Sequence, residues 1–147
     1  PLRPSEDREA LAEALVDGTI DIVATDHAPH AQQDKDHDFT TASPGMLGLE
    51  QALPVVMDLL VNSGRMDWAT LVERMSTAPA RIGRLAGQGR GLALGEPGNV
   101  VLVDDTATAT VDKSASRSLS RNNPYDGRTL PDPVVATVWR GKVTHHR

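Results

Sequence analysis

The chain has 147 residues, of which 39% are hydrophobic, enough for one ordinary domain with a real core, and this excludes a disordered polypeptide. Its net charge of −5 comes from 20 acidic and 15 basic side chains spread along the sequence, so we expect no nucleic-acid partner. It has no Cys, no apolar run near the roughly 20 residues that span a bilayer and no signal-peptide pattern, so we expect no disulfides, no membrane partner and a location in the cytoplasm.

The first predicted elements are a helix and a strand. Ser5 offers a hydroxyl as helix N-cap, apolar residues then recur at helical spacing, and Gly18 provides a stop. The short, β-branched and mostly apolar run over residues 19–25 is typical of a parallel strand buried on both faces. Residues 31–43 are polar and predict a long exposed loop.

Helices are predicted next. Apolar positions between residues 48 and 62 trace one helical face. Asp67 is expected to cap a helix that extends to about Met75, and Thr77 to begin another, with Pro79 in its tolerated first turn. Glycines recur through residues 87–98, where the periodicity of the apolar residues changes from helical to strand-like. We therefore place the boundary between the helical and the β-rich part of the chain there.

The rest of the chain is predicted to be rich in β-structure. We expect a buried strand over residues 99–103, a second strand over 106–111, and a hairpin of residues 134–140 and 142–144 around Gly141. The order of helix, strand, polar loop, helices and β-rich tail is what the end of an α/β barrel followed by a small β module would have. Because such a barrel takes about 250 residues, we expect the chain to be a fragment.

The candidate catalytic residues come directly after the predicted strand. Asp26 lies where α/β barrels carry catalytic side chains, and a carboxylate there can ligate Zn²⁺ or accept a proton from water that the metal acidifies. His27 and His30, separated by the turn at Pro29, can ligate metal or bind a substrate carboxylate. An Asp after a strand is about equally often a helix N-cap, but the His pair and the polar loop favour a site. The spacing alone specifies neither the reaction nor the metal.

Residues 23–30 and 43–50 closely resemble the last barrel strand and the substrate loop of the dihydroorotases, a family of the amidohydrolase superfamily. Further segments are similar to the same family, namely residues 1–3, 78–81, 98–103 and 120–127. The resemblance implies that residues 1–90 are the C-terminal part of a (β/α)8 TIM barrel, with residues 19–25 as its last strand. It also implies that residues 91–147 are a β-rich segment of a composite β-sandwich domain.

The resemblance implies a zinc-dependent hydrolase that reversibly converts (S)-dihydroorotate to N-carbamoyl-L-aspartate in pyrimidine biosynthesis. In this family pattern Asp26 is the metal ligand and the catalytic residue that shuttles a proton. His30 binds the substrate carboxylate, and Pro44 and Gly45 contact the pyrimidine ring. The remaining ligands of one or two Zn²⁺ ions are expected upstream, so we expect the isolated chain to be inactive.

Two other hypotheses stay open. In a dihydropyrimidinase-like or allantoinase-like cyclic amidase, His30 would have no substrate carboxylate to bind, because the substrate lacks that group. A non-catalytic dihydroorotase-like scaffold would support aspartate transcarbamoylase. The expected partners are therefore a small-molecule substrate and either further copies of the protein or aspartate transcarbamoylase. His27 fits a turn-stabilising hydrogen bond as well as a substrate contact.

Overall fold

The computed structural model describes residues 3–147, so the first two residues of the family-like segment 1–3 lie outside the described part. The helices are α1 (Ser5–Asp17), α2 (Gln32–Lys35), α3 (Ala52–Val56), α4 (Trp68–Val72) and α5 (Ala78–Ile82). The π-helical turns Met57–Val61 and Glu73–Thr77 follow α3 and α4, and Lys113–Ala115 is a 3-10 turn. The strands are β1 (Val100–Val103), β2 (Thr108–Thr110), β3 (Thr129–Pro131), β4 (Val134–Trp139) and β5 (Lys142–His146). The predicted α/β class is confirmed.

The described residues pack into two compact units, and each unit is assembled from separate stretches of the chain. Unit 1 contains the described residues up to Val23 together with Leu59–Val103 and Val134–Arg147. Unit 2 contains Ala24–Asp58 and Asp104–Pro133. The predicted division into residues 1–90 and 91–147 stays a prediction.

The first helix of unit 1 ends as predicted. Gly18 has a φ of 94° and donates its N–H to the Ala14 carbonyl, which closes the last turn. Arg74 Nε donates to the Leu15 carbonyl at 2.9 Å and satisfies another free carbonyl of that turn. The predicted Ser5 cap is wrong, because the cap position is occupied by Pro4 and Ser5 is already helical.

The strand predicted over residues 19–25 is not present in the described structure. Ile20 N–H donates to the Ala14 carbonyl and Val23 N–H to the Arg74 carbonyl, so the segment is held by helix carbonyls. A parallel strand is stabilised by ladder bonds to neighbouring strands, and no described segment forms such a ladder with residues 19–25. The segment therefore leads to residue 26 in irregular backbone.

The Asp67 cap is confirmed, since its side chain accepts a hydrogen bond from Thr70 N–H at 2.8 Å. The expected break at Thr77 is wrong, because helical turns run from α4 through Glu73–Thr77 into α5. Pro79 has no N–H and its ring crowds the carbonyl of residue 75, and the wider π turn before it accommodates this change. The buried apolar residues of unit 1 are Leu60, Met66, Leu71, Ala78, Ala80 and Ala136.

Unit 1 also carries an antiparallel sheet with the strand order β1-β4-β5. The hairpin around Gly141 is confirmed, and its second strand extends to His146. Strand β1 forms where it was predicted, but its expected burial is wrong. Val101 is 51% and Leu102 53% exposed, and β1 is an edge strand that pairs only with β4 among the described residues.

In unit 2, β2 lies within the predicted segment 106–111 and pairs with β3, which the sequence did not predict. The loop over residues 31–43 contains the short helix α2, and the helix expected from residue 48 begins at Ala52. The most deeply buried apolar side chains of this unit are Leu47, Met57, Leu130 and Pro133. Across residues 3–147, no helix is both long and apolar enough to cross a bilayer.

Candidate functional site

Residues 25–30 and 45–49 lie side by side in unit 2. His27 and Met46 form a parallel bridge, and Ala28 N–H donates to the Met46 carbonyl at 3.0 Å. A Cβ built on Gly48 would lie 2.9 Å from the Thr25 carbonyl oxygen, so the backbones approach as closely as glycine permits. The two segments predicted to form one site are therefore in direct contact.

Asp26 is exposed and has a φ of 45°, in the left-handed region that few residues other than glycine adopt. A short polar side chain such as Asp tolerates this conformation best. Asp26 does not cap a helix, because the next helix in the described chain begins at Gln32. Within residues 3–147 its carboxylate has no hydrogen-bond or ion-pair partner, so both oxygens are free to bind a ligand.

His27 stabilises the contact between the two segments. Its Nδ1 accepts hydrogen bonds from the Gly48 and Leu49 N–H groups, each at 3.2 Å. Because Nδ1 is an acceptor, the neutral ring carries its proton on Nε2. Of the two roles open for His27, the structure contains the turn-stabilising hydrogen bond.

His30 and Gly45 are brought together. Gly45 has a φ of 115°, and a Cβ built on it would lie 3.3 Å from His30 Nε2 and only 2.6 Å from Ala28 Cβ. Glycine at this position therefore lets the main chain lie against the half-buried imidazole. Pro44 is exposed and immediately precedes this contact.

Asn122 belongs to the candidate site, although its sequence context did not predict this. Its Nδ2 donates to the Ala28 carbonyl at 2.9 Å and to the Gly45 carbonyl at 3.3 Å, and its Oδ1 accepts from His30 N–H at 3.4 Å. Its own carbonyl accepts from Leu47 N–H at 3.0 Å. The family-like segment 120–127 was the only sequence signal, since nothing in local spacing connects Asn122 with residues so far away along the chain.

Lys35 closes the polar loop. Its Nζ donates to the carbonyls of Ser43 at 2.7 Å and Gly45 at 3.1 Å. The Ser43 N–H in turn donates to the Asp34 carbonyl at 2.9 Å. The loop that ends at Gly45 is thus tied back to α2.

Glu50 fixes the chain that follows the site segment 45–49. Its carboxylate accepts from the Ser116 hydroxyl at 2.5 Å, from Arg117 N–H at 3.1 Å and from Ser118 N–H at 3.3 Å. Partial burial raises the pKa of this carboxyl, but these hydrogen bonds to its charged form outweigh burial, so the net pKa is lowered from 4.5. Glu50 therefore stays ionised and holds the segment 113–118 against residue 50.

The described residues offer few ligands for a metal ion. A catalytic zinc site takes about three protein ligands, and nowhere in residues 3–147 do three His, Cys, Asp or Glu side chains converge. The described residues thus do not fit a complete metal site, and Asp26 can supply one ligand. His37 and the strand residues His145 and His146 are exposed. The predicted roles of Asp26, His30, Pro44 and Gly45 stay predictions.

No family model matches the chain. It is 53% identical over 144 residues to a protein named dihydroorotase from Streptomyces coelicolor and 50% identical to one of the same name from Mycobacterium tuberculosis. Each alignment covers 98% of this chain and 34% of the relative, so the chain spans about a third of the length of these proteins.

Solved structures are similar over nearly the whole chain. An L-hydantoinase (dihydropyrimidinase) from Arthrobacter aurescens has a TM-score of 0.91 and 35% identity, covering 99% of this chain and 33% of its own. A D-hydantoinase (dihydropyrimidinase) from Thermus sp. has a TM-score of 0.88 and 27% identity, covering 99% of this chain and 32% of its own. The relatives of higher identity are thus the proteins named dihydroorotase, and the chain is similar to about a third of their length.

Proposed function

We propose that this chain is the C-terminal portion of a dihydroorotase, here called the parent enzyme, which interconverts (S)-dihydroorotate and N-carbamoyl-L-aspartate with Zn²⁺. The names of relatives at 50–53% identity support the reaction. The observation that carries the site is the free, exposed Asp26 carboxylate at a positive φ, four residues before the His30–Gly45 contact. Residues 1–90 would belong to a (β/α)8 barrel and residues 91–147 to a composite β-sandwich.

Each predicted residue has a separate task in this proposal. Asp26 would be one metal ligand, with the others supplied from outside the described residues, and a Zn²⁺ ion held there would supply Lewis acidity. The Asp26 carboxylate takes a proton from the attacking water and returns it to the leaving amide nitrogen. His30 binds the substrate carboxylate, and the main chain at Pro44 and Gly45 contacts the ring. The exposure of Pro44 and Gly45 supports the last role, because a ligand can reach the main chain there.

A hydantoinase-like activity is the second candidate, because two solved structures similar to this chain carry that name. Identity to those structures is 27–35%, below the 50–53% shared with proteins named dihydroorotase. We therefore propose dihydroorotate as the substrate. The cytoplasmic location, self-association and a complex with aspartate transcarbamoylase stay predictions.

A substrate comparison on the parent enzyme tests the proposal. We expect kcat/KM for dihydroorotate to exceed that for dihydrouracil or allantoin by about 100-fold or more, because only dihydroorotate carries a carboxylate for His30. His30→Ala is expected to raise KM for dihydroorotate about 10- to 100-fold, as for loss of a hydrogen bond to a charged group. His37→Ala, in the exposed part of the loop, is the matched control and should leave KM unchanged.

Two results would contradict the proposal. A preference for dihydrouracil or allantoin would identify the hydantoinase-like alternative. No turnover of any of the three substrates by zinc-loaded parent protein would identify the scaffold.

A further inference from the structure

We infer that Asn122 is a positioning residue, which holds His30 and the Gly45 carbonyl in the geometry that binds substrate. The kinetic part of this inference rests on the proposed function. The structural part does not, because it concerns contacts within unit 2 alone.

The inference starts from how the Asn122 amide is used. Its Nδ2 group has two hydrogens and two carbonyl acceptors, Ala28 at 2.9 Å and Gly45 at 3.3 Å. Its Oδ1 faces the His30 N–H at 3.4 Å. The Asn122 side chain therefore connects the segment that carries His30 with the segment that carries Gly45.

The main chain of the same residue adds a further bond, from Leu47 N–H to the Asn122 carbonyl at 3.0 Å. Asn122 thus contacts the site segments on both sides of the Met46 bridge. A Cβ built on Gly45 would lie 3.3 Å from His30 Nε2, so the imidazole is close to this part of the main chain and a small shift of either segment changes the surface that they present. His27 fixes the same segments further along, at Gly48 and Leu49, and does not replace the bonds at residues 28, 30 and 45.

The chemistry of the amide predicts an order among variants. Asn122→Ala removes all three side-chain bonds and leaves a gap. Asn122→Asp keeps the size and the acceptor for His30 N–H but places a carboxylate against two carbonyl oxygens, which have no hydrogen to offer it. The aspartate variant should therefore be at least as damaging as the alanine variant, although it is nearly isosteric.

Unit 1 offers a matched control. Asn99 also bridges main-chain groups, with Nδ2 donating to the Gly87 carbonyl at 3.2 Å and Oδ1 accepting from Arg140 N–H at 2.8 Å. Asn99→Ala therefore removes a comparable set of bonds in a unit that contains none of the site residues.

The kinetic test uses the parent enzyme with dihydroorotate. Asn122→Ala is expected to raise KM about tenfold, as for the loss of one to two ordinary hydrogen bonds, and to change kcat less than about threefold. Asn99→Ala should leave both constants unchanged. If Asn122 acts through His30, the double variant His30→Ala/Asn122→Ala should have the KM of His30→Ala alone. Additive KM effects, or an equal loss of kcat and kcat/KM, would overturn the inference.

Amide hydrogen exchange provides a test that needs no activity. In Asn122→Ala, exchange at Ala28, His30 and Leu47 should accelerate about tenfold or more, while exchange at Val138 in unit 1 stays unchanged. In Asn99→Ala the acceleration should appear at Arg140 instead. Asn122→Ser, a smaller change that still cannot span both carbonyls, is measured in parallel in case the alanine variant does not fold.

The two measurements separate the possible failures. If the wild-type parent protein does not turn over dihydroorotate, the proposed function fails and exchange decides the role of Asn122. If exchange at Ala28 and Leu47 is unchanged in the Asn122 variants, the positioning role is wrong whatever the activity.

Discussion

At the scale of single residues, Gly45 connects backbone conformation with the candidate binding surface. A side chain at Gly45 would destabilise the fold in two ways. The φ of 115° would strain its backbone, and its Cβ would collide with Ala28 Cβ at 2.6 Å. Gly64 has a φ of 75° and nothing within 4 Å of a built Cβ, so it has only the first cost.

We therefore expect Gly45→Ala to destabilise the parent enzyme more than Gly64→Ala does. Gly64→Ala should cost about 1–2 kcal/mol for the left-handed backbone. Gly45→Ala should cost a further amount of about 1–3 kcal/mol for overpacking. The measurement is chemical denaturation of both variants, together with KM for dihydroorotate. Equal destabilisation would mean that the contact with Ala28 and His30 relaxes freely.

Glu50 makes the site segments sensitive to acid. The lowered pKa of its carboxyl means that its hydrogen bonds to Ser116, Arg117 and Ser118 stabilise the structure at pH above the ordinary pKa of 4.5. This contribution is lost as the pH falls below 4.5 and through the lowered pKa of the folded state.

The corresponding test compares wild type with Glu50→Gln in the parent enzyme. Exchange at the Arg117 and Ser118 amides should be slower in wild type at pH 6, and the difference should shrink as the pH is lowered towards 3. A difference that is independent of pH would show that the charge of Glu50 is unimportant.

The sequence could indicate some residues of the candidate site and not others. Asp26, His30 and Gly45 belong to short segments with a recognisable pattern. Asn122 and Glu50 act through partners 66–94 residues away along the chain, and such contacts depend on the tertiary fold. A single Asn in a turn-rich segment carries no local signal of such a partner.

At the scale of elements, local signals near helix ends were reliable. The Asp67 cap and the Gly18 stop both form, because each depends on atoms within four residues. The strand predicted over residues 19–25 does not form, and β3 was not predicted. Both outcomes have one cause, since strand formation depends on partners far away along the chain. The Thr129–Pro131 strand is also only three residues long and contains a proline, which local propensity disfavours.

The cap of α4 gives a prediction at this scale. A hydrogen bond from Thr70 N–H is the largest cause of the lowered pKa of Asp67, so the cap contributes above pH 3.8 and is lost as the pH falls further. Asp67→Ala should accelerate amide exchange at Thr70 severalfold at neutral pH. Asp67→Ser, which keeps a cap acceptor, should remain close to wild type. Equal exchange in the alanine and serine variants would rule out the capping role.

At the scale of the whole molecule, the described chain exposes many large apolar side chains. The most exposed of these, at 86–106%, are Phe39, Leu92, Leu94 and Leu119. Edge strand β1 adds Val101, Leu102 and Val103, each about half exposed. Exposed apolar side chains and an open strand edge each favour association.

We therefore expect the isolated 147-residue chain to aggregate, or to bind a hydrophobic dye strongly and unfold without a sharp transition. Static light scattering, dye fluorescence and calorimetry measure these properties. The parent enzyme, prepared in the same buffer, is the control and should unfold cooperatively. A monomeric isolated chain with one sharp calorimetric transition would contradict this expectation.

The central claim is that Asp26 moves the proton in the reaction of the parent enzyme, and turnover by an Asp26→Asn variant tests it most directly. The matched control is Asp21→Asn, because Asp21 is also exposed and lies five residues earlier. We predict that Asp26→Asn lowers kcat for dihydroorotate by about 10²–10⁴-fold with an unchanged circular dichroism spectrum, while Asp21→Asn keeps the wild-type rate. Near-native turnover by a folded Asp26→Asn enzyme would contradict the account.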